Sequence, residues 1–331
     1  MTITATEAAP GSGHALPASA VFLDYQSLRP LDLSMERLLA LPVQWRLHDF
    51  TSAADTLSRI GDAEIVVCNK VVLDAGIIAA APRLRLIAVT ATGTNNIDRE
   101  AAAARGIAVM NVQAYGTAAV AQHTMALLLA LSNRLPDYAR AAHEGSWSRS
   151  PMFCLLDYPM LDLAGKKLGI VGYGELGQAV GRLAQAFGME LLVAQGQGGP
   201  QPGRLPLAQV LAGADVLSLH CLLSPATEWM INAATLAHMK PGALLVNTAR
   251  GGLVDEAALA AALRSGHLGG AALDVLSVEP PPLDHPLLAP DIPNLLITPH
   301  CAWASPAARQ RLLDLTTDNI AAFLDQRSRL P

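Results

Sequence analysis

Three polar residues in the last third of the chain have types suited to chemistry on a small acid: Arg250 in NTARGG, Glu279 in VLSVEPP and His300 in ITPHCAW. Each follows a short apolar run that reads as a β-strand. An open parallel α/β sheet places its working groups beyond the carboxyl ends of its strands. Arginine offers a planar fork matched to a carboxylate. An unperturbed imidazole titrates near pH 6.5, so proton donation at neutral pH calls for a carboxylate neighbour that favours its charged form. Reduction of a 2-keto acid would use all three: a cation to hold the carboxylate, an acid to hold the imidazole, and the imidazole to move a proton. General acid catalysis of this kind is typically worth about 10²–10⁴-fold. Taken singly, each residue has a plainer use. A histidine after proline can be a surface cap, an arginine before Gly-Gly can end a strand, and a glutamate before three prolines can be a solvated loop charge. Their order and strand-end setting favour the chemical reading.

Hydride chemistry needs a donor, and GYGELG supplies Gly172, Gly174 and Gly177 in G-x-G-x-x-G spacing. The first permits a sharp turn, the second lets backbone approach a pyrophosphate, and the third lets helix pack on strand. The buried strand 168–171 precedes the turn. A helix follows with Leu176, Val180, Leu183 and Phe187 on one face, and its first N–H groups, at Glu175 and Leu176, would hold the phosphates. The next strand should end in a carboxylate about 20 residues on, to bind ribose hydroxyls. It ends VAQG, with Gln195 in that place. Glutamine can bond a ribose without repelling a 2′-phosphate. Arg204, in the loop beyond, could reach such a phosphate or be a loop arginine with no ligand. NAD and NADP both stay open.

The elements that must position these groups alternate along the chain. AVFLDY, VQWRLHDF, EIVVCNK, LRLIAVTA and IAVMNV read as strands separated by helical stretches such as 74–81, which implies a parallel sheet. A long apolar helix is expected over 117–135, ended by Pro136 and buried between domains or subunits; its His123 reads as structural, with Thr124 facing the cofactor. The alternation then restarts at KKLGIVG and continues through ELLVAQ, DVLSLHC, ALLVNTA, GGAALDVL and LLITPH. A final helix is expected over 306–324. Two parallel α/β units follow from this pattern.

Bulk properties agree. A chain of 331 residues suggests two domains. A net charge of −5 without a basic block gives no nucleic-acid footprint. Cys68, Cys154, Cys221 and Cys301 lack C-x-x-C spacing, so free thiols in a reducing, cytoplasmic compartment are expected, with no metal site. Cys301 reads as packing. Residues 1–20 read as a flexible tail, and no apolar run has the length of a membrane span.

With the turn and the three polar residues in view, the chain resembles the D-isomer-specific 2-hydroxyacid dehydrogenases, most closely the glycerate dehydrogenase (hydroxypyruvate reductase) group. VTATGTNNID, AYGTAAVAQHT, WSRSPMFCLLDYP, LAGKKLGIVGYGELGQ, MKPGALLVNTARGGLVDE, GGAALDVLSVEPP and LLITPHCAWAS carry the likeness, from about Val21 to Leu324. The resemblance implies an α/β protein of two Rossmann-like domains with parallel sheets and the active site in the cleft between them. The cofactor domain, 116–304, would be inserted in a substrate domain of 21–115 and 305–331, and the protein would be a homodimer. It also implies roles. Arg250 binds the substrate carboxylate and carbonyl, His300 is the acid/base, and Glu279 pairs with it. Asp274 meets the nicotinamide carboxamide. Thr248 and Ala249 line the nicotinamide side, while Cys221, Leu222 and Thr227 lie beside the rest of the dinucleotide. The backbone of Thr92, Gly93 and Thr94 meets the substrate carboxylate, and Trp303 either walls the pocket or packs in the core. Hydroxypyruvate and glyoxylate are the leading substrates. A relative acting on D-lactate-type acids, phosphite or formate is the alternative within the family, and a dinucleotide-sensing, corepressor-like scaffold is the alternative outside catalysis. Gln195 departs from the carboxylate common in NAD-preferring members.

Overall fold

Short runs of Val, Ile, Leu and Ala flanked by turn residues build two six-stranded sheets, almost wholly parallel. The computed structural model describes residues 2–3, 18–196 and 198–328. The chain divides into two compact units, one formed by the chain up to Gly116 together with the segment from Ala304, the other by Thr117–Trp303.

In the first unit, β1 (Thr2–Ile3), β2 (Ala18–Phe22), β3 (Val43–Leu47), β4 (Ile65–Cys68), β5 (Leu86–Val89) and β6 (Ala108–Met110) stand in the order β1-β3-β2-β4-β5-β6. β2 to β6 pair in parallel. β4 and β5 are buried at every position, as strands covered on both faces must be. Helices α1 (Glu36–Leu39), α2 (Thr56–Ile60), α3 (Ala75–Ala80) and α4 (Arg99–Ala104) connect the strands. Asp74 and Asp98 start α3 and α4 by accepting the Ile77 and Ala101 N–H groups at 2.9 Å each. Of the tail expected over 1–20, Thr2–Ile3 instead pair antiparallel with the edge strand β3, where open backbone groups are available, and Ala18 already belongs to β2. The remainder lies outside the described residues.

The second unit opens with α5 (Thr117–Ser132) and α6 (Leu135–His143). Where one helix over 117–135 is expected, the chain breaks after Ser132. Arg134 takes a left-handed φ of 53°, and Pro136 sits in the first turn of α6. Proline lacks an N–H that a first turn does not use, so it starts the second helix as readily as it stops the first. The apolar face of α5, with Met125, Leu128 and Leu131, packs on Leu168, Ile170 and Val180 of this same unit. There β7 (Lys167–Val171), α7 (Glu175–Ala186), β8 (Glu190–Val193), α8 (Leu207–Gly213), β9 (Val216–Leu219), α9 (Ala233–Ala237), β10 (Ala243–Asn247), α10 (Glu256–Arg264), β11 (Leu268–Leu273) and β12 (Leu295–Ile297) follow in turn. The sheet order is β12-β11-β10-β9-β7-β8, all parallel.

The last helix, α11 (Pro306–Ser328), belongs to the first unit. The buried Arg309 fixes it there by a bidentate pair with Asp32 at 2.6 and 2.7 Å and by bonds to the Leu28 and Arg29 carbonyls. Among the described residues no helix is long and apolar enough to cross a membrane.

Candidate active site

Strands β10, β11 and β12 lie side by side, with Asn247 paired to Leu273 and Leu273 to Ile297 at their carboxyl ends. Arg250 comes just past Asn247, Asp274 directly after Leu273, and His300 just past Ile297. The sequence-predicted groups thus leave neighbouring strands at one edge of one sheet. Glu279 lies on the loop after β11. Its Oε2 meets His300 Nδ1 at 2.6 Å, and its Oε1 accepts the Leu276 N–H at 2.9 Å. Their side chains are 28 and 33% exposed, so a small molecule can reach a pair that is already held. A short bond of this kind is the strong, charge-assisted type when the ring is protonated. With Nδ1 engaged by Glu279, Nε2 is the ring nitrogen left for a substrate.

His300 itself has a left-handed φ of 51°, which is strained for a residue with a Cβ. Asp274 holds it there. The Asp274 carbonyl accepts the His300 N–H at 2.8 Å, and its carboxylate accepts the Cys301 and Ala302 N–H groups at 2.9 Å each. The carboxylate also accepts the Thr298 hydroxyl at 2.5 Å, and that hydroxyl lies 3.0 Å from His123 Nε2. Burial pushes the Asp274 carboxyl up, but the His123 ring, 3.5 Å away, together with these hydrogen bonds outweighs it and holds the group below the ordinary carboxylate range. A carboxyl depressed in the fold contributes its full stability above its unfolded value, about pH 3.9, and loses it as pH falls through the folded value. Asp274→Asn is therefore expected to destabilise the protein near neutral pH by about 1–3 kcal/mol. The deficit should shrink below about pH 4, as urea melts across pH would show; a deficit independent of pH would refute the charge's part in it.

Arg250 sits on the turn after β10. Its guanidinium donates to the Ala249 carbonyl at 2.6 Å, its own carbonyl accepts from the Asn247 side chain at 2.8 Å, and Ala249 N–H donates to Asn247 Oδ1 at 3.0 Å. At Gly251 a Cβ would stand 1.9 Å from the Leu276 carbonyl carbon. The arginine turn is thereby packed, backbone on backbone, against the loop leading to Glu279. Trp303 donates its indole N–H to the His300 carbonyl at 2.9 Å and so braces the histidine turn.

The glycine turn fits a dinucleotide. A Cβ at Gly172 would lie 2.5 Å from the Cys221 nitrogen and one at Gly177 2.1 Å from the Gly172 oxygen, whereas at Gly174 nothing lies within 4 Å. The turn is closed on its protein side and open where α7 begins, as phosphate approach requires. Gly177→Ala should therefore cost about 1–3 kcal/mol or more through overpacking against backbone. Gly174→Ala should melt like the parent while binding NADH more weakly, which melting curves and fluorescence titration would separate. Glu175 accepts the Thr117 hydroxyl at 2.8 Å, and Leu176 is half-buried beside it.

Gln195 and Arg204 come together across a parallel bridge. The Gln195 N–H donates to Leu205 O at 2.8 Å, and its amide donates to Arg204 O at 3.4 Å. The Arg204 guanidinium stands 5.9 Å over the Tyr173 ring of the glycine turn. Cys221 is half-buried, with its thiol pushed up by burial, and Leu222 is exposed. Thr227 uses its hydroxyl within its own loop, donating to Leu222 O at 2.7 Å and accepting Ser224 N–H at 2.8 Å. Thr248 shares a 2.9 Å hydroxyl bond with Thr124, and Ala249 is buried next to it. Thr92, Gly93 and Thr94 lie in the first unit, just past β5, where Thr92 Oγ1 donates to Val112 O at 2.8 Å.

Sequence reasoning missed the His123–Thr298–Asp274 chain. Donor atoms of His123, Asp274 and Cys301 fall within 4.8 Å of one another. The Asp274 oxygens are already engaged, and the Cys301 thiol is pushed up by burial and by the Asp274 charge. The cluster therefore reads as a hydrogen-bonded support.

Residues 125–302 match the family model described as the D-isomer specific 2-hydroxyacid dehydrogenase, NAD binding domain. The chain is 43% identical over 305 residues to a glycerate dehydrogenase of Methylorubrum extorquens, covering 92% of this chain and 95% of that one. A crystal structure from Thermus thermophilus superposes with a TM-score of 0.81 at 37% identity, covering 93% of this chain and 97% of the other. The NADPH-dependent glyoxylate/hydroxypyruvate reductase of Sinorhizobium meliloti, solved with NADP and malonate, gives a TM-score of 0.77 at 28% identity, covering 93 and 94%.

Proposed function

Because the chain belongs to the D-isomer specific 2-hydroxyacid dehydrogenase family, we propose that it reduces small 2-keto acids, foremost hydroxypyruvate to D-glycerate and glyoxylate to glycolate. It is an oxidoreductase of the CH–OH group that uses a nicotinamide dinucleotide, and it stands with the family's glycerate dehydrogenases. The observation that carries the substrate reading is the 2.6 Å His300–Glu279 pair beyond β12 and β11, on the same sheet edge as Arg250 beyond β10.

Bound reduced nicotinamide supplies the hydride for C2. Arg250 holds the substrate carboxylate in its planar fork and stabilises charge growing on the carbonyl oxygen. Glu279 holds the His300 ring in place through Nδ1, and Nε2 hands a proton to that oxygen. Asp274, its oxygens engaged by Thr298, Cys301 and Ala302, acts by keeping the turn carrying His300 in place beside the nicotinamide. Thr248 and Ala249 wall the nicotinamide. Thr92, Gly93 and Thr94 supply backbone N–H groups to the substrate carboxylate.

On the cofactor, Gln195 brings no charge against a 2′-phosphate and Arg204 stands beside the glycine turn, which favours use of NADPH as well as NADH. The exposed Trp147, Met152, Phe153 and Leu156 of one loop support a homodimer, since large apolar groups clustered on a surface mark an interface. Four free cysteines suit a reducing, cytoplasmic setting.

The test is to mix the protein with NADH or NADPH and hydroxypyruvate or glyoxylate and follow the absorbance of the reduced cofactor. Absence of turnover with any small 2-keto acid would sink the reductase reading and favour a dinucleotide sensor. A preference for NADH of about 100-fold in kcat/KM, nearly 3 kcal/mol, would sink the dual-cofactor reading.

A further inference from the structure

The first unit carries an arginine-lined cavity of about 400 Å³ at the amino ends of β4, β5 and β6. Glu64, Arg83, Arg85, Arg105 and Arg327 line it. Thr92–Thr94 follow the opposite, carboxyl end of β5, so a strand of four residues, roughly 13 Å at 3.3 Å per residue, separates the two places.

Three of the four guanidinium groups are held before any ligand arrives. Glu64 is 4% exposed and pairs with Arg83 at 3.0 Å and with Arg327, in the last turn of α11, at 2.9 Å. Arg105 donates to the carbonyls at the end of α3, among them Ile78 and, at 2.9 Å, Ala81. Neither Arg85 nor Arg105 has a carboxylate partner among the described residues. Among the described residues lining it, one carboxylate against four guanidinium groups leaves three positive charges in excess, in a chain whose net charge is −5. Like charges held together repel, and an anion seated among them relieves the repulsion. Planar forks match the oxygens of phosphate and carboxylate groups, which a merely basic surface of flexible lysines does not.

We propose that this cavity is a binding site for a small dianion, a phosphate ester or a dicarboxylate, separate from the reducing centre. Its size admits a small molecule. The net negative charge of the chain disfavours long polyanions such as nucleic acid. Because Glu64 ties Arg327 of α11 to Arg83 before β5, an occupant would clamp the last helix to the sheet and stabilise this unit by mass action.

Inorganic phosphate and succinate are the probes, with sodium chloride at matched ionic strength as control, titrated into the full chain without cofactor and followed by melting temperature and calorimetry. The expected result is a saturable rise in melting temperature above the chloride control with at least one probe. The probe that binds more tightly identifies the ligand class. The affinity should fall tenfold or more in Arg85→Glu and in the milder Arg85→Gln, and persist in Arg250→Ala, which removes the anion site of the reducing centre. Neither probe saturating, or binding lost in Arg250→Ala but kept in both Arg85 variants, would overturn the proposal. The reductase reading is tested by turnover and can fail without this one.

Discussion

Arg250→Ala is expected to lower kcat/KM for hydroxypyruvate by about 10³-fold, the loss typical of removing a donor that meets developing negative charge. The fold should survive the change. The turn is anchored by backbone and by Asn247, whose amide holds the Arg250 carbonyl at 2.8 Å, and neither bond involves the guanidinium. Arg250→Lys should recover little, because an ammonium group cannot present two parallel donors to a carboxylate. Steady-state kinetics beside melting curves would decide the matter: activity within tenfold of the parent, in a protein that melts normally, would remove Arg250 from the mechanism.

His300→Ala should cost about 10²–10⁴-fold in kcat, the usual worth of a positioned acid. Glu279→Gln should cost less, since an amide oxygen can still accept a bond from Nδ1 and keep the ring oriented, though the charge-assisted character of the contact is gone. The pair acts as a unit, joined at 2.6 Å, so the double variant should be no slower than His300→Ala alone. Losses that simply multiplied would show the two residues working independently and would dismantle the paired reading.

Much of this arrangement was legible in the sequence because it rests on local signals. Strand runs such as IVVC and ALLVN announce themselves by composition, and Arg250 and His300 stand where strand ends place working groups. The glycine spacing likewise predicted a turn whose Gly172 and Gly177 have no room for a Cβ. What escaped depends on distant partners. His123 and Thr298 are 175 positions apart, and nothing local to either announces their 3.0 Å contact or the support it lends Asp274. Pro136 misled for another reason: a proline that ends one helix and a proline that begins the next look alike until the backbone at Arg134 is seen to turn left-handed.

The ladder joining β10, β11 and β12 has a consequence for descent. It makes the spacing of the arginine and histidine turns a property of backbone pairing, common to any sequence able to keep those strands. A lineage can then exchange loop residues other than Arg250, Asp274, Glu279 and His300, and so the acid it admits, while inheriting the reaction geometry unchanged. Losing one residue inside a strand is a different event, because it turns every later side chain to the other face. Insertions and deletions should therefore accumulate among descendants between Glu279 and β12 and be purged from the three strands and from the segment joining Asp274 to Glu279.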